Sequence, residues 1–344
     1  SAELASTYPE RGGVFVWVRE AFGPKYGFLA IFMEWVQNLP WYPAAATFVA
    51  TCLAYTFSPE LAHNRWYVFF TTIAILWVAT VLNFRGMRLS VFLSKSGVLV
   101  GTIISGFFLI AIASAYILTD KPIQIPFNGG AALIPDLSTP KQWMLLAGVV
   151  VSLAGMEMSS VHVTNMKNPT SAFPRAIFLA SLIILFFSIF GALSVALVVP
   201  GTQLSMSAGV CQSFETMLKA LGFSWFTPIL AAFLAYGALA SIVTWMNGPS
   251  RGLLEVAQEG YLPKYWQTRN SFGMQTSILI LQTGCATFLA LSVLVMPSVS
   301  DAFWLFLALC GELYMVMYLL MFAAAIRLKL RYPDKKGSYQ VPGG

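Results

Sequence analysis

Three glutamates, Glu34, Glu157 and Glu312, stand inside long apolar runs of a chain that has 14 acidic residues in 344. A carboxyl among apolar side chains is suited to two tasks: taking up a proton, or meeting a cation that has left water. Glu157 is the most conspicuous. It lies in "VVVSLAGMEMSSVHVTNMKNP", Val149 to Pro169, directly after a glycine and close to several serines. Its alternative role is structural, a protonated acid bonded to a neighbouring helix, and the two roles are compatible. Glu312, in "FLALCGELYMVMYLL", presents the same choice. Both are candidates for coupling proton movement to function. Glu34 falls about a turn and a half from the end of its run, so it is expected to reach headgroups or water.

Around these acids, aromatic residues add polar handles. Tyr314 and Tyr318 are four apart and share one helix face, with Glu312 on another face. Phenol hydroxyls and the Trp245 indole need partners when buried. Packing is the plainer role for all three. Gly148 and Gly155, seven apart, are expected on one side of their helix, where they permit close approach.

Enzyme constellations are absent from the sequence. It shows no Ser/His/Asp set, no phosphate-binding loop and no ligand-spaced cluster of His and Cys. Cys52, Cys211, Cys285 and Cys310 have no paired spacing, and His63 and His162 are far apart. His162 is expected in a surface or packing role. No enzymatic activity, metal or other cofactor is expected, and a disulfide is not expected either.

The elements that must position these residues follow from composition. Hydrophobic residues make up 58% of the chain and charged residues only 10%, against about a quarter charged in soluble domains. A spanning helix needs about 20 predominantly apolar residues. Eight blocks qualify, near 27–57, 67–84, 93–118, 142–164, 175–199, 225–250, 275–296 and 302–326. The fold class is therefore an all-α polytopic membrane protein.

Basic residues set its orientation. With the N-terminal segment in the cytoplasm and sides alternating, only Arg65, Lys121, Lys141 and Lys219 of the 20 basic residues lie outside. Both ends of this chain are thus expected in the cytoplasm. The net charge of +6 is the positive-inside bias and calls for no nucleic acid. Residues 1–26 form a cytoplasmic segment with a short amphipathic run of Val14, Phe15, Trp17, Val18 and Phe22, suited to lying along the membrane. Residues 27–326 form the helical bundle, and 327–344 a cytoplasmic tail. The opening "SAELAST" reads like the end of an earlier helix, so the chain is expected to belong to a longer protein.

Three features interrupt the helical blocks: "QNLPWYP" at 37–43, the stretch around Gly155, and "TWMNGPSRG" at 244–252, where Asn-Gly-Pro should break or kink a helix. Breaks inside a bilayer survive only where protein or water satisfies the freed backbone, so they point to a cavity. A helical bundle with a polar, interrupted interior is a transporter first and a channel second.

Several segments carry a resemblance. "AELASTYPERGGVFVWVREAFGPKYGFLA", "GMEMSSVHVTNMKNPTSAFPRAI" and "NGPSRGLLEVAQEGYLP" occur in the order, and at the span spacing, of the amino acid–polyamine–organocation superfamily of secondary transporters. "WYP", "SAGVCQSFETML" and "WMNGPSRG" most resemble its bacterial glutamate/γ-aminobutyrate antiporters. The resemblance implies two inverted five-helix repeats with broken helices at the midplane. It also implies that this chain runs from the end of family span 2 through span 10, with about eight transmembrane helices.

It further implies site residues. Backbone carbonyls at about Ser152 to Gly155, Ala154 among them, correspond to those that meet a substrate ammonium, and Glu157 matches the acid just past the break. Trp245 corresponds to an aromatic that walls the pocket, while Tyr314 and Tyr318 match aromatic positions of span 10. Ser241 takes a place where these antiporters carry an acid. That departure, with the additional Glu312, leaves the substrate open. The implied function is secondary active transport of amino acids across the bacterial inner membrane by alternating access, as glutamate/γ-aminobutyrate exchange. A proton- or sodium-coupled symporter and a non-transporting amino acid sensor are the alternatives. The partners implied are a small amino acid and the lipid bilayer, with a homodimer left open.

Overall fold

The structure, a computed structural model, describes residues 2–8, 13–125, 137–139, 142–143, 146, 148–149, 153–159, 168–335, 337 and 339–340. Among these residues no strand forms; Arg269 and Gln275 make an isolated bridge. Two short helices, α1 (Ala2–Thr7) and α2 (Val14–Phe22), precede the long ones. The apolar run of α2 meets protein rather than lipid. Trp17 is 1% exposed, and Phe15 and Val18 are also buried against α3 (Pro24–Val36) and the last long helix. The expected membrane-surface helix is thus part of the packed bundle.

The block expected at 27–57 is divided. Helix α3 ends at Val36 and α4 (Asn38–Phe57) begins after Gln37, with Pro40 and Pro43 following. Proline supplies no N–H to the ladder. At this junction the Asn38 and Gln37 side-chain amides donate to the Glu34 carbonyl at 2.7 and 3.2 Å.

Helix α5 (Arg65–Phe84) leads to α6 (Met87–Gly97), which continues through a π-helical turn, Val98–Ile104, into α7 (Ser105–Leu118). That turn crosses α10 (Thr227–Gln258) backbone to backbone: a Cβ on Gly101 would fall 2.3 Å from the Cα of Gly237. Only glycines permit such an approach. Between them lie α8 (Pro169–Ala196) and the short α9 (Gly209–Ala220), which buries Cys211, Phe214, Met217 and Leu218. The chain ends in α11 (Thr276–Ala290), α12 (Ser292–Val295) and α13 (Val299–Arg331). The Ser298 hydroxyl caps α13 by accepting from the Asp301 N–H, and Lys329 and Arg331 sit in its last turn, where the helix dipole favours cations.

The largest core joins α4, α5, α10 and α11. Interhelical polar bonds reinforce it: Thr80 to Thr283 at 2.5 Å, and the Asn83 amide to the Val243 carbonyl at 3.0 Å. Six helical stretches among the described residues are long and apolar enough to cross a membrane: 65–84, 87–118, 171–196, 224–258, 276–295 and 299–331. Of the other two expected spans, one is the divided 27–57 and the other, 142–164, lies about half outside the described residues.

Of the break or kink expected at Asn247-Gly248-Pro249, the break does not occur. Helix α10 stays helical from Thr227 to Gln258 with Pro249 inside it. Pro249 removes the bond to the carbonyl four residues earlier, that of Trp245, and the Tyr42 hydroxyl donates to that oxygen at 3.3 Å. A tertiary partner replaces the missing local one.

Candidate functional site

The site is built where the chain leaves helical geometry. Residues 153–155 are non-helical and 156–159 make one 3-10 turn, so Gly148 and Gly155 do not share one continuous helix. Gly155 has φ +106°, a conformation costly for residues with a Cβ. Space excludes a side chain as well, since a Cβ there would lie 2.6 Å from the Trp245 ring. The Gly155 N–H donates to the Tyr318 hydroxyl at 3.0 Å.

That hydroxyl donates in turn to Oε2 of Glu157 at 2.6 Å, and the Tyr314 hydroxyl donates to Oε1. Both carboxyl oxygens of Glu157, a residue only 2% exposed, are therefore engaged by phenols. The one-turn spacing of Tyr314 and Tyr318 on α13 makes this fork possible, with ring centroids 4.9 Å apart. Trp245 closes another side, tilted against Trp41 of α4 at 5.3 Å between centroids. Ala154 packs, half-buried, on the cluster formed by α2, α3 and α13.

The structure thus brings together Ala154, Gly155, Glu157, Trp245, Tyr314 and Tyr318. Ser152 and His162 lie outside the described residues. Ser241, one turn before Trp245, lines a separate cavity of about 450 Å³, whose walls include Phe48, Gly101, Phe187 and Leu234. Glu312 is exposed on the outer face of α13, apart from the tyrosines.

Glu34 is the residue that sequence reasoning misplaced. Instead of reaching headgroups or water it is 1% exposed. The signal was its place three residues ahead of "QNLPWYP", because a broken helix turns inward the polar residues beside its break. Among the described residues neither Glu34 nor Glu157 forms an ion pair with Lys or Arg. The salt bridges there are Arg19 with Glu20 and Glu259, and Lys329 with Glu3, all partly exposed.

A broken backbone segment beside a buried acid inside an apolar helical bundle is the arrangement of a small-molecule transporter. The sequence pattern of the amino acid permease family matches residues 1–343. The chain belongs to the amino acid permease family. An uncharacterized transporter of Legionella pneumophila is 35% identical over 344 residues, covering all of this chain and 74% of the relative. A glutamate/gamma-aminobutyrate antiporter of Lactococcus lactis is 30% identical over 349 residues, covering all of this chain and 69% of the relative. A probable agmatine/putrescine antiporter of the same species is 24% identical over 346 residues, covering all of this chain and 72% of the relative. These relatives are named as transporters and antiporters, not enzymes, which supports the non-enzymatic role expected from the sequence. This permease is accordingly an all-α, multi-pass membrane transporter of small molecules.

Proposed function

We propose that this permease exchanges amino compounds across the bacterial inner membrane by alternating access, with both ends of the chain cytoplasmic and glutamate and γ-aminobutyrate as the substrate pair. The observation that carries this reading is the non-helical 153–155 segment held against α13 by Glu157, Tyr314 and Tyr318. Carbonyls of residues 153–155 are the acceptors for a substrate ammonium, and Trp245 is the wall against which the aliphatic part rests. The relatives named as glutamate/gamma-aminobutyrate antiporters support the substrate pair.

Glu157 has a defined task in this scheme. Bonded to both phenols, its carboxyl is turned away from the ligand and ties the 153–159 segment to α13. A cation that draws the carboxyl off the phenols loosens that tie, which couples occupancy to movement of the segment. An anionic substrate requires the Glu157 carboxyl to stay turned aside, on the phenols, while it passes. Glu312, exposed on the far face of α13, is given no task here.

Counterflow tests the reading. Liposomes containing the intact protein and loaded with unlabelled γ-aminobutyrate should accumulate labelled glutamate, and empty liposomes should not. Uptake that ignores the internal amino compound, and follows a proton or sodium gradient instead, would replace exchange by symport.

A further inference from the structure

At the C-terminal end of α13 an open groove runs between that helix and α2. It has a volume of about 630 Å³ and is lined by Phe22 of α2 and by Ala323, Ile326, Arg327, Leu330 and Arg331 of α13. The α13 residues recur at intervals of three and four, so one helix face supplies them all. Ile326 is 63% exposed and Leu330 78% exposed. An uncovered apolar wall therefore meets two guanidinium groups.

Those arginines differ from the lysine between them. Lys329 pairs with Glu3 at 3.4 Å. Among the described residues neither Arg327 nor Arg331 forms an ion pair. Arg327 lies instead over the Phe22 ring, 5.0 Å from its centroid, and Arg331 over the Tyr332 ring at 5.4 Å. A guanidinium on an aromatic face keeps its charge and its five N–H donors. The donors form a planar fork that matches the oxygens of a phosphate.

Depth decides what can answer them. Helix α13 has 33 residues, about 50 Å of helix, against a hydrocarbon core about 30 Å thick. Its last turns therefore reach the headgroup layer, and the groove wall at Ala323 and Ile326 lies one turn deeper, where acyl chains begin. An anionic phospholipid satisfies both surfaces at once. A zwitterionic one brings a cationic group towards the two guanidiniums.

We infer that this groove is a binding site for one anionic phospholipid, its phosphate held by Arg327 and Arg331 and an acyl chain lying along Phe22, Ala323 and Ile326. The bound lipid bridges α2 and α13, the helix that carries Tyr314 and Tyr318. The site depends neither on the substrate pair nor on the mode of transport.

Native mass spectrometry of the intact protein in detergent, titrated with phosphatidylglycerol or phosphatidylcholine, gives the dissociation constant of the first bound lipid. Wild type should prefer phosphatidylglycerol. A basic residue near the membrane surface strengthens binding to anionic lipid about fivefold, so Arg327→Gln or Arg331→Gln should weaken phosphatidylglycerol about fivefold and both changes together about 25-fold. Phosphatidylcholine should bind much as before. Lys329→Gln removes the same charge from the same turn, but from a residue already paired, and should leave the preference intact. All three side chains are exposed, so the unfolding temperatures of the variants should match that of wild type.

Equal losses in Lys329→Gln and Arg327→Gln would overturn the site and leave only a diffuse basic surface. Displacement of phosphatidylglycerol by inorganic phosphate would replace it by a site for soluble anions. An undiminished preference in the doubly changed protein would contradict it outright.

Discussion

The Tyr42 hydroxyl donates across 3.3 Å to the carbonyl of Trp245, the oxygen that Pro249 leaves without its helical partner. This bond gives a partner to the carbonyl that Pro249 frees inside α10, at the residue whose ring packs on Gly155. Tyr42→Phe leaves a buried acceptor unsatisfied and should destabilise the protein by about 1–3 kcal/mol. In a Pro249→Ala background the alanine's backbone N–H can serve the carbonyl, so the same Tyr42 change should cost much less. A double-mutant cycle of unfolding in detergent reads the difference. Additive effects would show that the two groups do not share this carbonyl.

Gly155 is constrained twice, by its positive φ and by the Trp245 ring. Gly155→Ala should lower exchange by about tenfold or more, since a misplacement of about 1 Å at a site costs on that order or beyond. Adding Trp245→Ala removes the steric clash but not the backbone strain, so it should not restore the rate. Labelled uptake into liposomes measures both.

The crossing of Gly101 with Gly237 predicts a packing effect distant from the site. Gly237→Ala places a Cβ 2.5 Å from the Gly101 Cα and should destabilise by about 1–3 kcal/mol, the usual range for overpacking. Gly284 has open space around its would-be Cβ, so Gly284→Ala is the matched control and should leave the unfolding temperature nearly unchanged. Equal effects at the two positions would contradict the close crossing.

A thiol pair tests the seating of α9. Cys52 of α4 and Cys211 of α9 are both fully buried with sulfurs 3.5 Å apart, although 159 residues separate them. A membrane-permeant thiol oxidant should join them during mild thermal opening, lowering the number of titratable thiols by two. Cys52→Ser or Cys211→Ser should abolish the crosslink. An undiminished thiol number after the same treatment would place α9 elsewhere.

What the sequence made legible is what depends on local pattern. Apolar run lengths located the helices 65–84, 276–295 and 299–331 to within a few residues, and the Gly-Met-Glu stretch marked the non-helical segment at 153–155. The one-turn spacing of Tyr314 and Tyr318 announced a shared face, and the structure shows what that face binds. Misjudgements arose where a distant partner decides the outcome. Pro249 looked like a break because its rescuing hydroxyl comes from Tyr42, 203 residues away from the carbonyl it serves. Glu34 looked like a boundary residue because depth was counted along one helix, whereas its surroundings come from the divided α3–α4 block and from α13. Cys52 and Cys211 looked unrelated for the same reason: sequence spacing carries no information about which helices meet. The apolar face of α2 fits a membrane surface or a protein groove equally well, and only packing distinguishes them.

The central claim is that Glu157, held by Tyr314 and Tyr318, couples ligand occupancy to movement of the 153–159 segment. The most direct measurement is the rate of labelled exchange for Glu157→Gln beside wild type in liposomes containing the intact protein. A glutamine keeps the shape but cannot carry the charge that a cation would meet. The expected outcome is an exchange rate lowered by about tenfold or more, consistent with loss of a charged hydrogen bond. An unchanged rate in the folded variant would contradict it.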